Sequence, residues 1–404
     1  MKYDAIVLGA GMVGVSTALA LQSSGRKTAL VDRREPGQEA SFGNAGIIQA
    51  EAVTPYGFPL DLATLGRIAI GRSGAVRWNL RGVFSSTRPL AAYLRNSLPA
   101  THARVSERYG RMIRKATEDH ERQIGAANAD RLVRRDGFIE VFRSSGSLAA
   151  GIKEAERARS SFGVNSSVLD GDELAKAEPG LRGEFAGAIH WTDSWSCNDP
   201  SALVSAYANL FRSRGGEIHQ GDANSLNEHE GSWIVSMADR RVSAYNVVVS
   251  LGAWSPGLLK RFGYNFPMIL KRGYHRHVDT GSGPRLPVVD ADNAVVFSPM
   301  TAGLRVLTGA ELTPINGPVN RTQIDRATAL AGEMFDASIP EDSPIWYGTR
   351  PCMPNMLPVV GPAPRHHGLW FNFGHGHQGF TLGPTTARIL AAKMDGLADE
   401  QAVP

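Results

Sequence analysis

A short apolar run, Ala5-Ile6-Val7-Leu8 after Asp4, is interrupted at once by Gly9-Ala10-Gly11-Met12-Val13-Gly14. Val15 to Gln22 then reads as a helix, and Thr28-Ala29-Leu30-Val31 is a second apolar run that closes on Asp32. The predicted order is strand, glycine turn, helix, strand, acid. Further along, residues 57 to 130 read mostly as helix, with His102 to Ala127 as a single long one. Phe138 to Phe142 alternates as a strand does, Leu148 to Phe162 is a charged surface helix stopped near Gly163, and Gly187 to Trp191 is another strand. Asp199-Pro200 supplies an N-cap and a first-turn proline for a helix running to about Arg214. Glu217 to Gln220, Trp233 to Met237, Val247 to Ser250 and several runs between Met268 and Gly309 read as strands. Thr322 to Phe335 is a helix, Leu369 to Phe373 a strand, and Pro384 to Met394 a closing helix.

The opening segment is a dinucleotide-binding fingerprint in its proper setting. Gly9 permits the tight turn, Gly11 lets the backbone approach a pyrophosphate, and Gly14 lets the helix pack close to the sheet. Met12 and Val13 begin the helix, whose free N–H groups face the phosphates, and Asp32 can accept from ribose hydroxyls. A second glycine loop, Gly374-His375-Gly376-His377-Gln378-Gly379-Phe380-Thr381, follows the strand at Leu369 to Phe373. A glycine loop at each end of the chain suggests two backbone approaches to one long ligand, which favours FAD over NAD.

The 404 residues suffice for two cores, and the two cysteines, Cys197 and Cys352, exclude a disulfide framework. A reducing, cytoplasmic setting follows, and the first strand leaves no room for a cleavable leader. No stretch is apolar enough to span a bilayer. A net charge of +4 gives no reason to expect nucleic acid. Between Gly57 and Val105, however, seven arginines (Arg67, Arg72, Arg77, Arg81, Arg88, Arg95, Arg104) face one acid, Asp61, with leucines, isoleucines, Trp78 and Phe84 interleaved. Such a segment is either a solvated cap or a peripheral contact with an anionic membrane face. The two H-x-H pairs, His275/His277 and His375/His377, lack acidic or thiol companions at ligand spacing, so no metal is expected.

Seven segments, taken in order, resemble the D-amino-acid oxidase/dehydrogenase superfamily of FAD flavoproteins, and among them the bacterial D-amino-acid dehydrogenases. They are Gly9 to Asp32; Ala40-Ser41-Phe42-Gly43-Asn44-Ala45-Gly46; Asn198-Asp199-Pro200; Val247 to Ser255; Lys271-Arg272-Gly273-Tyr274; Gly348-Thr349-Arg350-Pro351 with Pro358 to Gly361; and Gly374-His375-Gly376 with Gly379-Phe380-Thr381. The resemblance implies an α/β chain: a discontinuous Rossmann-like FAD-binding domain (1–56, 196–262, 345–404) and an α+β substrate domain on a mixed sheet (57–195, 263–344). It also implies roles. Asp32 and Arg33 would hold the adenosine side. Ser41, Asn44, Ala45 and Gly46 would line the pyrophosphate and flavin, and Gly252 would sit near the adenine. Gly376, Gly379, Phe380 and Thr381 would cradle the pyrimidine end, with His375 or His377 near the ring. Arg350 matches the arginine that grips a substrate carboxylate, and Tyr274 a second carboxylate or lid contact. Cys352 lies near the position at which related sarcosine oxidases bond covalently to flavin; a small buried residue is the ordinary expectation.

The activity implied is oxidative deamination of a small D-amino acid or cyclic imino acid, such as D-proline or hydroxyproline, by hydride transfer from Cα to flavin N5. A quinone-type acceptor would take the electrons. Alternatives are a glycine or sarcosine oxidase using O₂, a 2-hydroxy-acid dehydrogenase, or a flavoprotein whose FAD is structural. Trp191, Trp195, Trp346 and Tyr347 could wall a compact pocket suited to a ring.

Overall fold

A computed structural model describes residues 2–71, 73–237 and 240–397. The opening strand, Lys2–Leu8, lies between Thr28–Asp32 and Arg241–Val249, and Glu217–Gln220 adds to the outer side of Thr28–Asp32, all in parallel. Arg241–Val249 is longer than the apolar run of 247–250 suggested. Its first half pairs antiparallel with Ser232–Ser236, and its last three residues pair in parallel with Leu369–Phe373. Leu369–Phe373 thereby lies one strand away from Lys2–Leu8, on the far side of Arg241–Val249. The helix Met12–Ser23 covers this sheet with Met12, Val15, Ala18, Leu19 and Leu21 buried. Its polarity does not fall on one side because it is packed on both: the sheet lies beneath, and helices Pro200–Ser213 and Gly379–Met394 lie alongside.

A second, mixed sheet is organised on the strand Ile269–Thr280. Trp346–Cys352 pairs on one side of it, and Gly303–Leu307 with Ala310–Leu312 on the other. The sheet continues through Val295–Met300, Val288–Asp290, Phe138–Phe142, Gly187–Trp191 and Ser167–Leu169. Trp346–Cys352 therefore belongs to this sheet, although the residues from 345 onward were expected wholly in the nucleotide domain. The full register, His275 opposite Trp346 through Ile269 opposite Cys352, holds it there.

Two helix expectations need correction. His102 to Ala127 is not one helix but two, Pro99–Ile113 and Ala116–Ala126, with a break at Arg114-Lys115. The break lets the second helix turn Asp119, His120 and Ile124 inward, and Arg388 of the last helix pairs with Asp119 at 3.0 Å. The last helix starts at Gly379, five residues before the expected Pro384, which sits inside it. An internal proline removes the hydrogen bond that would reach the carbonyl four residues back, here Phe380. His120 replaces it: its Nε2 lies 2.9 Å from the Phe380 carbonyl and its Nδ1 3.0 Å from the Tyr207 hydroxyl. A carbonyl only accepts, so Nε2 carries the proton and the ring is neutral. Burial pushes the His120 pKa down to about 4.

That shift sets the sign of an acid effect. Folded His120 resists protonation, so its contribution is complete above the ordinary value of 6.5 and is lost as pH falls through about 4. His120→Leu orphans the Phe380 carbonyl and leaves the Tyr207 hydroxyl only its 3.5 Å bond to the backbone carbonyl of residue 120, and should cost about 2 kcal/mol at pH 7. Urea unfolding between pH 4 and 8 should show a smaller acid dependence in the variant; an unchanged dependence would overturn the assignment.

Candidate active site

Both glycine loops open onto one cavity of about 930 Å³, near the top of the range for ligand pockets. Its wall includes Gly9, Gly11, Met12, Val13, Asp32, Arg33, Ser41 and Gly252 together with Arg350, His375, Gly376, His377, Gly379 and Phe380, and the two loops meet where a Cβ on Gly379 would lie 3.9 Å from Val13. Gly9 adopts φ +104°, and a Cβ there would lie 2.5 Å from the Ser250 carbonyl oxygen, so only glycine serves. A Cβ on Gly14 would collide with the Gly9 carbonyl, and Gly14 lies against the turn rather than on the cavity wall, as close helix–sheet packing requires.

The walls fit a dinucleotide. Helices Met12–Ser23 and Gly379–Met394 both begin on N-cap residues, Gly11 and Gln378, whose own side chains make no cap bond, and both starts lie on the cavity. Backbone N–H groups and the positive ends of two helices suit phosphate and an electron-rich ring. Ser250 Oγ and Asn372 Oδ1 are buried on this wall with no partner, as expected of atoms that await a ligand. Asp32 accepts from Ala10 N at 2.6 Å and from Arg34 N at 3.0 Å, which locks the carboxylate beside the turn. Arg33 is turned towards Glu39, 2.6 Å away, and lies over the Trp254 ring. Ser41 Oγ accepts from Met12 N, tying the loop at 41–46 to the helix start.

Other expected contacts fall differently. Asn44 and Ala45 line the cavity, whereas Gly46 packs its backbone against Cys197. Thr381 does not reach the wall: its hydroxyl accepts from Gln49 N at 3.2 Å, and it supports the neighbouring loop. Tyr274 borders the cavity but its hydroxyl is spent on the Glu311 carboxylate and the Asn320 N–H, so it does not present a free phenol. Trp191 and Trp346 line the cavity, while Trp195 lies under Arg135 and Tyr347 lies against Arg272, both away from the wall. His275 stacks behind Trp346 at 4.8 Å rather than entering the cavity. Among the described residues no group of three or more His, Cys, Asp or Glu could hold a metal.

Arg350 projects from Trp346–Cys352 across Gly273, where a Cβ would sit 2.6 Å from its Nη2. The guanidinium donates to the carbonyls of Gly309 (2.9 Å) and Thr308 (3.3 Å) and, among the described residues, pairs with no carboxylate. Burial lowers its pKa from the usual arginine value. His375 donates to or accepts from Thr386 Oγ1 at 2.9 Å, and burial holds its pKa near 3, so it is neutral. Cys352 is buried in the strand that carries Arg350, with its thiol pKa raised by that burial. A Cβ on Gly376 would touch its Sγ at 3.6 Å, so the thiol faces the glycine loop.

Several wall residues went unnoticed in the sequence. Tyr56 lines the cavity, and the charges of Glu51 and Glu140 raise its phenol while Arg350 lowers it. Its ring meets His377 at 5.5 Å. The cap fixes its loop: His102 Nε2 lies 2.9 Å from the Pro55 carbonyl, Tyr93 donates to the Tyr56 carbonyl, and Ser97 Oγ accepts from Phe58 N. Gln378 donates to Gln49, Gln49 to Glu51, and Ser194 to Glu51. Buried Arg305 donates to the carbonyls of Phe42 and Asn44 and so shapes the flavin-side loop. An acid three residues beyond the apolar pair Ile47-Ile48, which itself follows the Ser41–Gly46 segment, was the one local signal for Glu51.

Two sheets, two helix starts on one cavity and an unpaired arginine define a dinucleotide-dependent oxidoreductase. The chain belongs to the FAD dependent oxidoreductase family (DAO), which matches residues 4–393. It is similar to a D-amino-acid oxidase of Bradyrhizobium diazoefficiens, 29 % identical over 98 % of this chain and 95 % of the relative. It is also 31 % identical to a D-amino acid dehydrogenase of Cereibacter sphaeroides, over 98 % and 92 % respectively. The structure of glycine oxidase from Geobacillus kaustophilus superposes with a TM-score of 0.72 at 19 % identity, covering 98 % of this chain and 95 % of that one. The protein is thus an FAD-dependent amino-acid oxidoreductase.

Cys352 is packed in a strand with a raised thiol pKa, which disfavours the thiolate that a flavin bond requires. Denaturing the yellow protein should release all its flavin into solution, and Cys352→Ser should keep the cofactor. Flavin that remains with the precipitated chain would contradict this.

Proposed function

We propose that the protein oxidises a small D-amino acid or cyclic imino acid, such as D-proline or a hydroxyproline, and passes the electrons to a quinone-type acceptor. The observation that carries the substrate reading is Arg350, a guanidinium on the cavity wall with only carbonyl partners, free to take a carboxylate through two parallel N–H bonds. Tyr56 reaches the same region and takes the place, as a second carboxylate contact, that Tyr274 was expected to fill. Trp191, Trp346 and Tyr56 supply flat apolar walls for a compact side chain or ring. Bound FAD supplies a two-electron acceptor for the Cα hydrogen. Gly9, Gly11, Met12, Val13, Ser41 and Asp32 hold its ADP side, and Gly376, Gly379 and Phe380 hold the opposite end. His375 and His377 are neutral and border that end without adding charge. Relatives named D-amino acid dehydrogenase favour an acceptor other than O₂.

The cap offers a surface for reaching such an acceptor. Helix Leu62–Ala69 buries none of its residues, and Leu62 (85 % exposed), Ile70, Leu80 and Phe84 point outward beside exposed Arg67, Arg81, Arg88 and Arg95. Arg72 lies outside the described residues. Apolar side chains framed by arginines match the interface of an anionic bilayer. No helix among the described residues is long and apolar enough to cross a membrane.

Two tests follow. In an anaerobic panel of D- and L-amino acids, prolines and 2-hydroxy acids, a substrate bleaches the flavin spectrum; added quinone, then O₂, restores it at rates that rank the acceptors. Arg350→Ala should stay yellow and weaken substrate affinity about 100-fold, with Arg350→Lys in between; near-normal affinity in the alanine variant would sink the assignment. Separately, sedimentation with phosphatidylglycerol vesicles should carry the wild-type protein down at low salt, and Leu62→Asp/Phe84→Asp should abolish this. Equal sedimentation of both proteins would remove the membrane reading.

A further inference from the structure

Among the described residues, the cavity wall carries carboxylates with no cationic partner, Glu51 and Glu140 among them, and Glu51 is the one held by two side-chain donors. Glu51 follows the strand Ile47–Ile48 and lines the wall. One carboxylate oxygen accepts from Gln49 Nε2 and the other from Ser194 Oγ at 2.6 Å. Both donors are neutral and both are held: Gln49 by Gln378 at 2.6 Å, and Ser194 by accepting from Ala50 N at 3.0 Å. A carboxylate offers about four acceptor sites, so two remain. The charged group that acts on Glu51 is Glu140 on the strand Phe138–Phe142, a second carboxylate, which accepts from Trp191 Nε1. The Glu51 charge raises the pKa of Tyr109 on helix Pro99–Ile113 and of Tyr56, and Arg350 lowers that of Tyr56. Glu51, Tyr56 and Arg350 all line the one cavity.

A guanidinium and a carboxylate without charged partners on the wall of one cavity are the complement of a zwitterion. We propose that Glu51 receives the ammonium group of the substrate opposite Arg350 and takes one of its protons. The argument rests on the reading of Arg350 given above. The N–H bond breaks as the Glu51 O–H bond forms, and the electron pair left on nitrogen becomes the C=N bond as the Cα hydrogen departs with its own pair to the family's two-electron acceptor, FAD. A 2-hydroxy acid brings no positive charge and would leave Glu51 buried without a counterpart, so the same residue selects amines. Burial, aided by Glu140, raises the Glu51 pKa to about 7, which suits a group that must be ionised to accept a proton and still bind it.

The test uses the FAD-loaded protein with D-proline and D-alanine. In stopped flow without O₂, flavin reduction at low substrate should rise with pH to a break near 7. Glu51→Gln should remain yellow, lose the break and be reduced about 100-fold more slowly at pH 8; Glu51→Asp should restore the break. A second arm does not depend on turnover. Tetrahydrofuran-2-carboxylate, which has no ammonium, should bind Glu51→Gln about tenfold more tightly than wild type at pH 8, because the unpaired anion is gone. The raised folded pKa means that Glu51 costs stability as pH rises from 4.5 through 7, so Glu51→Gln should also melt higher at pH 8. Wild-type reduction rate and break in Glu51→Gln, or unchanged affinity for the ether analogue, overturns the proposal. A wild-type protein that no amino acid bleaches overturns the substrate reading instead, while the analogue still reports on Glu51.

Discussion

Everything at the site depends on how closely two helices from opposite ends of the chain approach each other. Gly383 stands so near Met12 that a Cβ would lie 2.7 Å from its Cγ and 3.2 Å from its carbonyl oxygen. That contact sets helices Met12–Ser23 and Gly379–Met394 side by side with both N-termini on the same cavity. A bulkier residue at 383 would separate them, and the two glycine loops would then face different spaces. Strand Leu369–Phe373 reinforces the arrangement from below by pairing with the strand that also pairs with Lys2–Leu8.

The second sheet adds chemistry to that frame by pairing alone. Because Lys271 lies opposite Arg350 and Gly273 opposite Gly348, the guanidinium crosses a residue that has no side chain to obstruct it. Arg272, fully buried next to it, donates to the carbonyls of Pro314, Ile315, Gly317 and Pro318 and shapes the loop that puts Ile315 on the cavity wall. The helical cap contributes through backbone: His102, Tyr93 and Ser97 hold residues 55–58, and Tyr56 follows. Both sheets and the helical segment thus contribute to the wall of one cavity.

Much of this was legible in the sequence because the requirements are local. A G-x-G-x-x-G turn between a strand and a helix, Asp199-Pro200 at a helix start, and Phe138 to Phe142 as a strand depend on nearby residues and were placed correctly. What was not legible depends on partners far along the chain. Pro384 argues against a helix interior until His120, more than 250 residues earlier, is seen to take the carbonyl it leaves. Tyr274 and Tyr56 carry the same phenol; only the position of Glu311 shows that the first is occupied. Glu51 looks like any loop acid until Ser194 and Glu140 close around it.

The pairing of the two chain ends has a consequence for synthesis. The opening helix is made more than 300 residues before the helix Gly379–Met394 that packs beside it. Contacts of such long sequence separation form slowly, after most of the loop entropy has been surrendered. The first nucleotide turn therefore waits, covered on one side by Pro200–Ser213, until Gly379–Met394 has been made and can complete the cofactor cavity. A truncation that removes the last helix would spare most of the sequence and still leave no place for the cofactor.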